Sequence, residues 1–213
     1  MKILVACERS GKVRDALLAL GHDAWSCDIM PTRVPGPHFQ CDVREVLHRP
    51  WDGLVAHPVC RYLTNAGAKH LYRRINGKWS KDHGRDSERW RLMEEAAAFF
   101  NLFRDATHIP RRVIENPIMH GHAAELVGGR ADQYVQPWWF GDAFSKATGL
   151  RLYGVPKLVR EFEKSDYEAI KQECWLMAPS EDREEKRSQT YPGIARAIAW
   201  QMFGPAEQLM AAE

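Results

Sequence analysis

The chain has 213 residues, 45% of them hydrophobic and 27% charged, with a formal net charge of +2. That length suits one compact domain with a sizeable core, and the ordinary apolar and charged fractions argue against a disordered chain. No apolar run approaches the roughly 20 residues that a membrane-spanning helix needs, so no membrane partner is expected.

The opening MKILVACERSG has a short apolar run followed at once by charges. It reads as a first β-strand, Lys2 to Cys7, rather than a signal peptide. After Glu8-Arg9-Ser10-Gly11, apolar residues recur at helical spacing (Val13, Ala16, Leu17, Leu20), and Gly21 closes the helix as a C′ residue. Asp23 to Cys27 then alternates into a second strand ending at Asp28. The result is a β-α-β unit with an acid at the tip of its second strand, where nucleoside-binding α/β proteins receive ribose hydroxyls. The helix N-terminus faces the cofactor in such proteins. The glycine signal is thin, a lone Ser-Gly, and on these residues alone cofactor binding and a purely structural unit stand level. Met30 to Gln40 carries three prolines and one glycine and reads as a loop. Asp42 follows a short extended piece and suits the N-cap of a helix over Val43 to Leu47.

The stretch WDGLVAHPVCRYLTNAG, from Trp51 to Gly67, organises the rest. Gly53 to Ala56 suits a central strand of a parallel sheet, and His57-Pro58 stops it because proline has no ladder donor. Cys60 falls in the first turn beyond the strand's carboxyl end, the edge at which ligands bind in open α/β sheets. The alternative is a small buried hydrophobe, a common fate of cysteine. A second stretch, RRVIENPIM from Arg111 to Met119, repeats the pattern: a short strand at Val113-Ile114, ended by Pro117, with Glu115 and Asn116 at its exit. Two adjacent parallel strands would set a thiol beside a carboxylate, the pair that covalent catalysis on an electron-poor ring requires.

Between these stretches, Arg61 to Arg91 holds nine basic residues against three acidic ones, a charge excess that would meet a phosphate backbone approaching Cys60. Lys69 to Glu88 reads as a mobile loop closing over substrate, with Tyr72 and Trp79 as stacking candidates, or else as a solvated face. A helix follows from Glu88 to about Asp105, with Trp90, Met93, Ala97 and Phe100 on its core face. Met119 to Val127 suits a helix, Asp132 to Gln136 a strand, and Pro137 to Gly141 an aromatic loop over a base or cofactor, or core. Gly149 to Tyr153 is another strand, preceded by Ser145-Lys146-Ala147-Thr148. Glu161 to Arg187 carries nine acids against five bases, a poor surface for reading DNA. Thr190-Tyr191-Pro192-Gly193 opens a last helix with Ile194, Ala197, Ile198 and Met202 on one face.

Five cysteines (Cys7, Cys27, Cys41, Cys60, Cys174) form an odd set with no Cys-x-x-Cys pair. This argues against a zinc ribbon or disulfide framework and for a reducing, cytoplasmic setting. His120 and His122 flank Gly121 with no further ligand at usable spacing, so no metal is assigned.

The order of motifs resembles the cytosine carbon-5 DNA methyltransferases, with Pro58-Val59-Cys60 in place of the Pro-Cys catalytic loop and Glu115-Asn116-Pro117 in place of Glu-Asn-Val. With ACERSG, ENPIM and TYPGIARAIA, the chain is most similar to small phage and prophage proteins of that type. The resemblance implies an α/β Rossmann-like S-adenosylmethionine-dependent methyltransferase fold, mostly parallel, with helices on both faces, in one domain over residues 1–213. Residues 61–90 would form a basic loop on the catalytic side. Residues 154–189 would be a short acidic segment in place of a large target-recognition domain. It further implies Cys60 as nucleophile with Glu115, Asn116 and Lys146 as catalytic partners, Arg151 being the other candidate for the local cation. S-adenosylmethionine would lie near Cys7, Glu8, Ser10, Gly11, Asp28, Ile29, Asp42, His57, Pro58, Tyr191 and Gly193. DNA would meet Arg61, Asn65, Lys69, Arg73, Arg74 and Lys78. The chain departs from the family at Val59, at Arg61, in the missing Phe-x-Gly-x-Gly and in the missing Gln-x-Arg-x-Arg strand. Two other readings stay open: a free cytosine nucleotide or RNA as substrate, and a catalytically degenerate nucleic-acid-binding protein.

Overall fold

The computed structural model describes residues 1–172 and 190–204. Seven strands form one sheet in the order β3-β2-β1-β4-β7-β9-β8: β1 (Lys2–Ala6), β2 (Asp23–Asp28), β3 (His38–Gln40), β4 (Gly53–Ala56), β7 (Arg111–Pro117), β8 (Gln133–Val135) and β9 (Thr148–Tyr153). β5 (Arg74–Ile75) and β6 (Lys78–Trp79) form a separate hairpin. β1, β2, β3, β4 and β7 pair in parallel, while β9 runs antiparallel to β7 and β8.

Helices cover both faces, because the central strands are apolar on both. In β1, Ile3 and Val5 point to one face and Leu4 and Ala6 to the other, all fully buried. On the first face lie α1 (Lys12–Ala19) and α5 (Pro192–Ala197), the latter running into a π-turn over Ile198–Met202. On the second lie α2 (Arg44–Leu47), α3 (Ser87–Arg104) and α4 (Gly121–Leu126). This is the expected Rossmann-like α/β arrangement with a mostly parallel sheet. The chain leaves β1 toward β2 on one side and returns to β4 on the other, so the topological switch point, where such sheets bind ligands, lies between β1 and β4.

Two expectations need correction. β7 does not stop before Glu115: its pairing with β4 ends at Ile114, but β9 pairs with it as far as Pro117 opposite Thr148. Pro117 is the last residue of the strand, where a missing N–H breaks no inner rung. Residues 61–90 are not an irregular loop. They hold a 3₁₀ helix (Asn65–Leu71), the β5–β6 hairpin and a second 3₁₀ turn (Lys81–His83). Of the two readings of the aromatic loop at Pro137–Phe140, core is the one found, with Trp138 and Phe140 buried. Cys174 and most of the acidic stretch lie outside the described residues. The last helix buries Ile194, Ala197, Ile198 and Met202, as expected. Among the described residues no helix is long and apolar enough to cross a membrane.

Gly53, which opens β4, is dictated by packing. A Cβ there would fall 2.6 Å from Cε1 of the fully buried Phe203. Gly53→Ala is therefore expected to lose about 1–3 kcal/mol of stability to overpacking. Adding Phe203→Leu should make the double variant less destabilised than the sum of the two single ones, measured by urea denaturation. Strict additivity would contradict this packing account.

Candidate functional site

Parallel pairing of β4 with β7 sets Ala56 opposite Ile114, so the next steps, His57-Pro58 and Glu115-Asn116, emerge side by side at the carboxyl edge. Both links between them are side-chain bonds. His57 Nδ1 lies 3.2 Å from Glu115 Oε2, and Asn116 Nδ2 donates to the Pro58 carbonyl at 3.3 Å. Thr190 Oγ1 approaches the same His57 nitrogen at 3.5 Å, while His57 Nε2 and Asn116 Oδ1 are buried without a partner among the described residues. Such orphaned polar atoms are what a ligand's hydrogen bonds would satisfy. Burial raises the Glu115 carboxyl, but the hydrogen bond and charge of His57, aided by Lys146, outweigh it and hold the group below the ordinary carboxylate range.

Beyond Pro58 the chain turns at once. The Cys60 carbonyl accepts from Leu63 N at 2.9 Å and Thr64 N at 3.1 Å, which leaves the half-buried Cys60 at the start of the turn next to an exposed Val59. The turn is stitched to the segment after β7: Asn65 N donates to Ile118 O at 2.8 Å and His120 N to Leu63 O at 3.2 Å. Two residues missed in the sequence hold it from outside. Arg89 on α3 donates to Arg61 O at 3.2 Å and lies over the Tyr62 ring at 4.4 Å. His120 caps α4 by accepting from Ala123 N, and its other ring nitrogen reaches Tyr62 O. Burial lowers the His120 pKa, in keeping with a neutral ring that accepts at Nδ1 and donates at Nε2. A His just before Gly121 was a legible cap signal, whereas the reach of Arg89 across 28 residues was not.

Of the residues expected around the cofactor, Cys7 and Glu8 follow β1, Asp28 ends β2 and Asp42 follows β3, while His57 and Pro58 follow β4 and Tyr191 and Gly193 lie at the start of α5. Burial pushes the Cys7 thiol up, and the neighbouring charges of Asp28, Cys27 and Asp42 add to that. Cys27, 4.0 Å from Cys41 Sγ, is likewise pushed up to about 12, chiefly by burial. Asp28 accepts from Met30 N through Oδ1, beside the exposed side chains of Ile29 (70%) and Met30 (47%). Asp42 accepts from Arg44 N and pairs with the Arg44 guanidinium at 2.7 Å, a local turn just ahead of α2, whose N-cap is Val43 rather than Asp42. Glu8 faces inward. Its carboxylate accepts from Val13 N, Arg14 N and Ser10 Oγ, closing the N-terminus of α1 that was expected to face a ligand. Arg14, also missed, is fully buried, bonding Ser26, Thr32, Val34 and Pro35 and fixing the proline-rich loop against α1.

Of the two candidate cations, Arg151 is held away, donating to Gly128 and Gly129 at the end of α4. Lys146 acts on Glu115 and lies 5.8 Å from the Tyr191 ring. Gly193 is a packing residue: a Cβ would meet Phe140 O at 2.2 Å, and its N–H donates to Asp142. Trp79 is no open stacking platform, since Lys69 and Arg74 lie over its ring at 4.7 and 4.5 Å. Tyr72 bonds His122 through its hydroxyl. Among the described residues no group of three or more His, Cys, Asp or Glu is arranged to hold a metal.

No family model matches the chain, and no curated protein matches it. Among solved structures it is similar to a protein provisionally described as a DNA modification methyltransferase encoded within an E. coli prophage, at 16% identity and a TM-score of 0.41 over 70% of this chain and 44% of that one. It is also similar to a DNMT2 mutant of Spodoptera frugiperda, at 13% identity and 0.33 over 70% and 49%. The chain thus spans less than half the length of either. Overlaps this shallow carry no argument about chemistry, and the fold rests on the sheet order itself.

The sign of the Glu115 shift gives a direct test. With its folded value below 4.5, the group contributes stability above that pH, and the contribution is lost as pH falls through the folded value. A ¹³C NMR titration should place the Glu115 carboxyl midpoint below 4.5, and His57→Leu, which leaves burial dominant, should move it above 4.5. A wild-type midpoint above 4.5 would contradict the pairing.

Proposed function

We propose that this protein transfers a methyl group from S-adenosylmethionine to carbon-5 of cytosine in DNA, through a covalent adduct with Cys60. The single observation that carries the reading is the β4–β7 edge, where a turn bearing a thiol is tied to a strand bearing a buried carboxylate by the Asn116–Pro58 bond. Thiol, carboxylate and a nearby ammonium are the groups this chemistry needs.

The residues at the β1 and β2 tips fit the cofactor by chemistry. S-adenosylmethionine carries a net positive charge, and Asp28 and Asp42 both lie close enough to Cys7, just after β1, to act on its thiol. Asp28 accepts from Met30 N through Oδ1 and has, among the described residues, no bond to Oδ2, which would take a ribose hydroxyl, and Ile29 offers an apolar surface to a base. The half-buried Cys7, its thiol pushed up by desolvation, suits a wall rather than a nucleophile. When bound, the cofactor supplies an electrophilic methyl.

The chain's own residues would do the rest. Cys60, as thiolate, would add to carbon-6 of the ring, forming an S–C bond and placing negative charge on the ring nitrogen and carbonyl. Glu115 would accept from the exocyclic amine and, taking up a proton from solvent as the ring binds, donate to that nitrogen, and Lys146 would offset the developing charge. Once carbon-5 had taken the methyl group, with S-adenosylhomocysteine as the leaving group, loss of the carbon-5 proton to solvent would break the S–C bond and restore both the ring and the thiolate. His57 would orient Glu115, leaving Nε2 to the substrate or cofactor. A target base within a duplex must first be flipped out, at a cost of a few kcal/mol.

Methyl transfer from tritiated S-adenosylmethionine to a mixed-sequence duplex tests this. Cys60→Ser should abolish detectable transfer, and Glu115→Gln should lower it by about 10²–10³-fold. Both variants should still bind the cofactor by calorimetry. Full transfer by Cys60→Ser would overturn the covalent mechanism, and transfer to free dCMP in preference to DNA would move the substrate to a nucleotide.

A further inference from the structure

The β5–β6 hairpin has no place in the sheet or in either core cluster, yet it is tightly built. Its turn residues, Asn76 and Gly77, both have positive φ, 49° and 80°, as a two-residue turn matched to strand twist requires. Its base is anchored. Tyr72 bridges to Arg85, Arg73 N donates to Gly84 O, and Trp90 Nε1 on α3 donates to Leu71 O at 2.9 Å. α3 begins just beyond it, and Arg89 in the first turn of that helix holds the Cys60 turn. Hairpin, helix start and Cys60 turn are therefore mechanically linked.

The hairpin's chemistry is one-sided. Lys69 and Arg74 are held over the Trp79 ring, with His70 edge-on to it at 4.7 Å, and Arg73 donates to Arg85 O. Lys69, Arg73, Arg74 and Lys78 have no carboxylate partner among the described residues. Rings and carbonyls thus position Lys69, Arg73 and Arg74 without neutralising them. At the tip, between Arg74 and Asn76, Ile75 is 47% exposed. A single exposed isoleucine is ordinary. An isoleucine at the apex of a cation-flanked ribbon has the shape of the apolar wedges with which minor-groove proteins enter a base step, here carried on an element that fits the major groove.

We propose that this hairpin enters the major groove of B-form duplex DNA, with Lys69, Arg73, Arg74 and Lys78 on phosphates and Ile75 wedged at a base step beside the target base. The groove, about 12 Å wide, admits a two-stranded ribbon, whereas the deep, narrow major groove of A-form RNA does not. The inference rests on the nucleic-acid reading above and narrows it to B-form duplexes.

The test uses the full chain with a DNA duplex carrying 2-aminopurine beside a cytosine, and the same sequence as double-stranded RNA. Wild type should bind the DNA at least about tenfold more tightly than the RNA and raise 2-aminopurine emission as the base unstacks. Ile75→Ala should lose most of that rise while weakening binding by less than about tenfold. Arg74→Ala with Lys78→Ala should lower the slope of log affinity against log salt by roughly 2, one for each phosphate no longer neutralised. An undiminished 2-aminopurine signal in Ile75→Ala overturns the wedge. Equal affinity for the RNA duplex, or an unchanged salt slope, overturns groove entry. If wild type methylates and binds DNA while the hairpin variants behave identically, only this inference fails. If wild type binds neither duplex, the DNA reading falls with it.

Discussion

The parallel register between β4 and β7 is the constraint on which the site depends. With Ala56 opposite Ile114, the polar steps that follow on each strand meet as neighbours, and His57 finds Glu115 while Asn116 finds Pro58. Slipping one strand by one residue would send every side chain of that strand to the opposite face. Glu115 would then leave the α5 side, where Thr190 and Tyr191 lie, and Val113 would leave its core cluster. The apolar residues that fix the register therefore also fix the chemistry one step beyond them.

Electrostatics then divides the roles of otherwise similar groups. Cys7 and Cys60 both follow strand ends, but Cys7 is surrounded by burial and acids that disfavour its thiolate, while Cys60 begins a turn next to Arg61 and an exposed Val59. Among the carboxylates, Glu8 closes a helix, Asp42 meets Arg44, and Glu115 is held anionic in a buried place by His57 and Lys146. A carboxylate kept charged at such a cost in desolvation is poised to respond when a ring nitrogen replaces part of its environment.

Much of this was legible in the sequence because it follows from local rules. The apolar runs of β1 and β4, the Pro58 stop, the β-α-β unit and the core face of α3 were each written in a few adjacent residues. What was missed falls into two kinds. The hairpin was available in Asn76-Gly77, a strong turn signal, but two-residue strands rich in charge do not alternate visibly and so read as loop. Arg14, Arg89 and the His57–Glu115 pair were beyond reach because their partners are distant: His57 and Glu115 are 58 positions apart. The end of β7 was misplaced because Pro117 was read as a strand breaker, whereas an antiparallel partner, β9, extends the strand to include it.

Whether Cys60 forms a bond to a cytosine ring is the measurement that bears most directly on the account. A duplex containing 5-fluorocytosine, incubated with the protein and S-adenosylmethionine, retains fluorine where a proton would have to leave, so a covalent adduct would persist. Mass spectrometry of the digested complex should find the oligonucleotide attached to Cys60. A protein that binds both cofactor and duplex but yields no adduct, or yields one at another cysteine, would contradict the account.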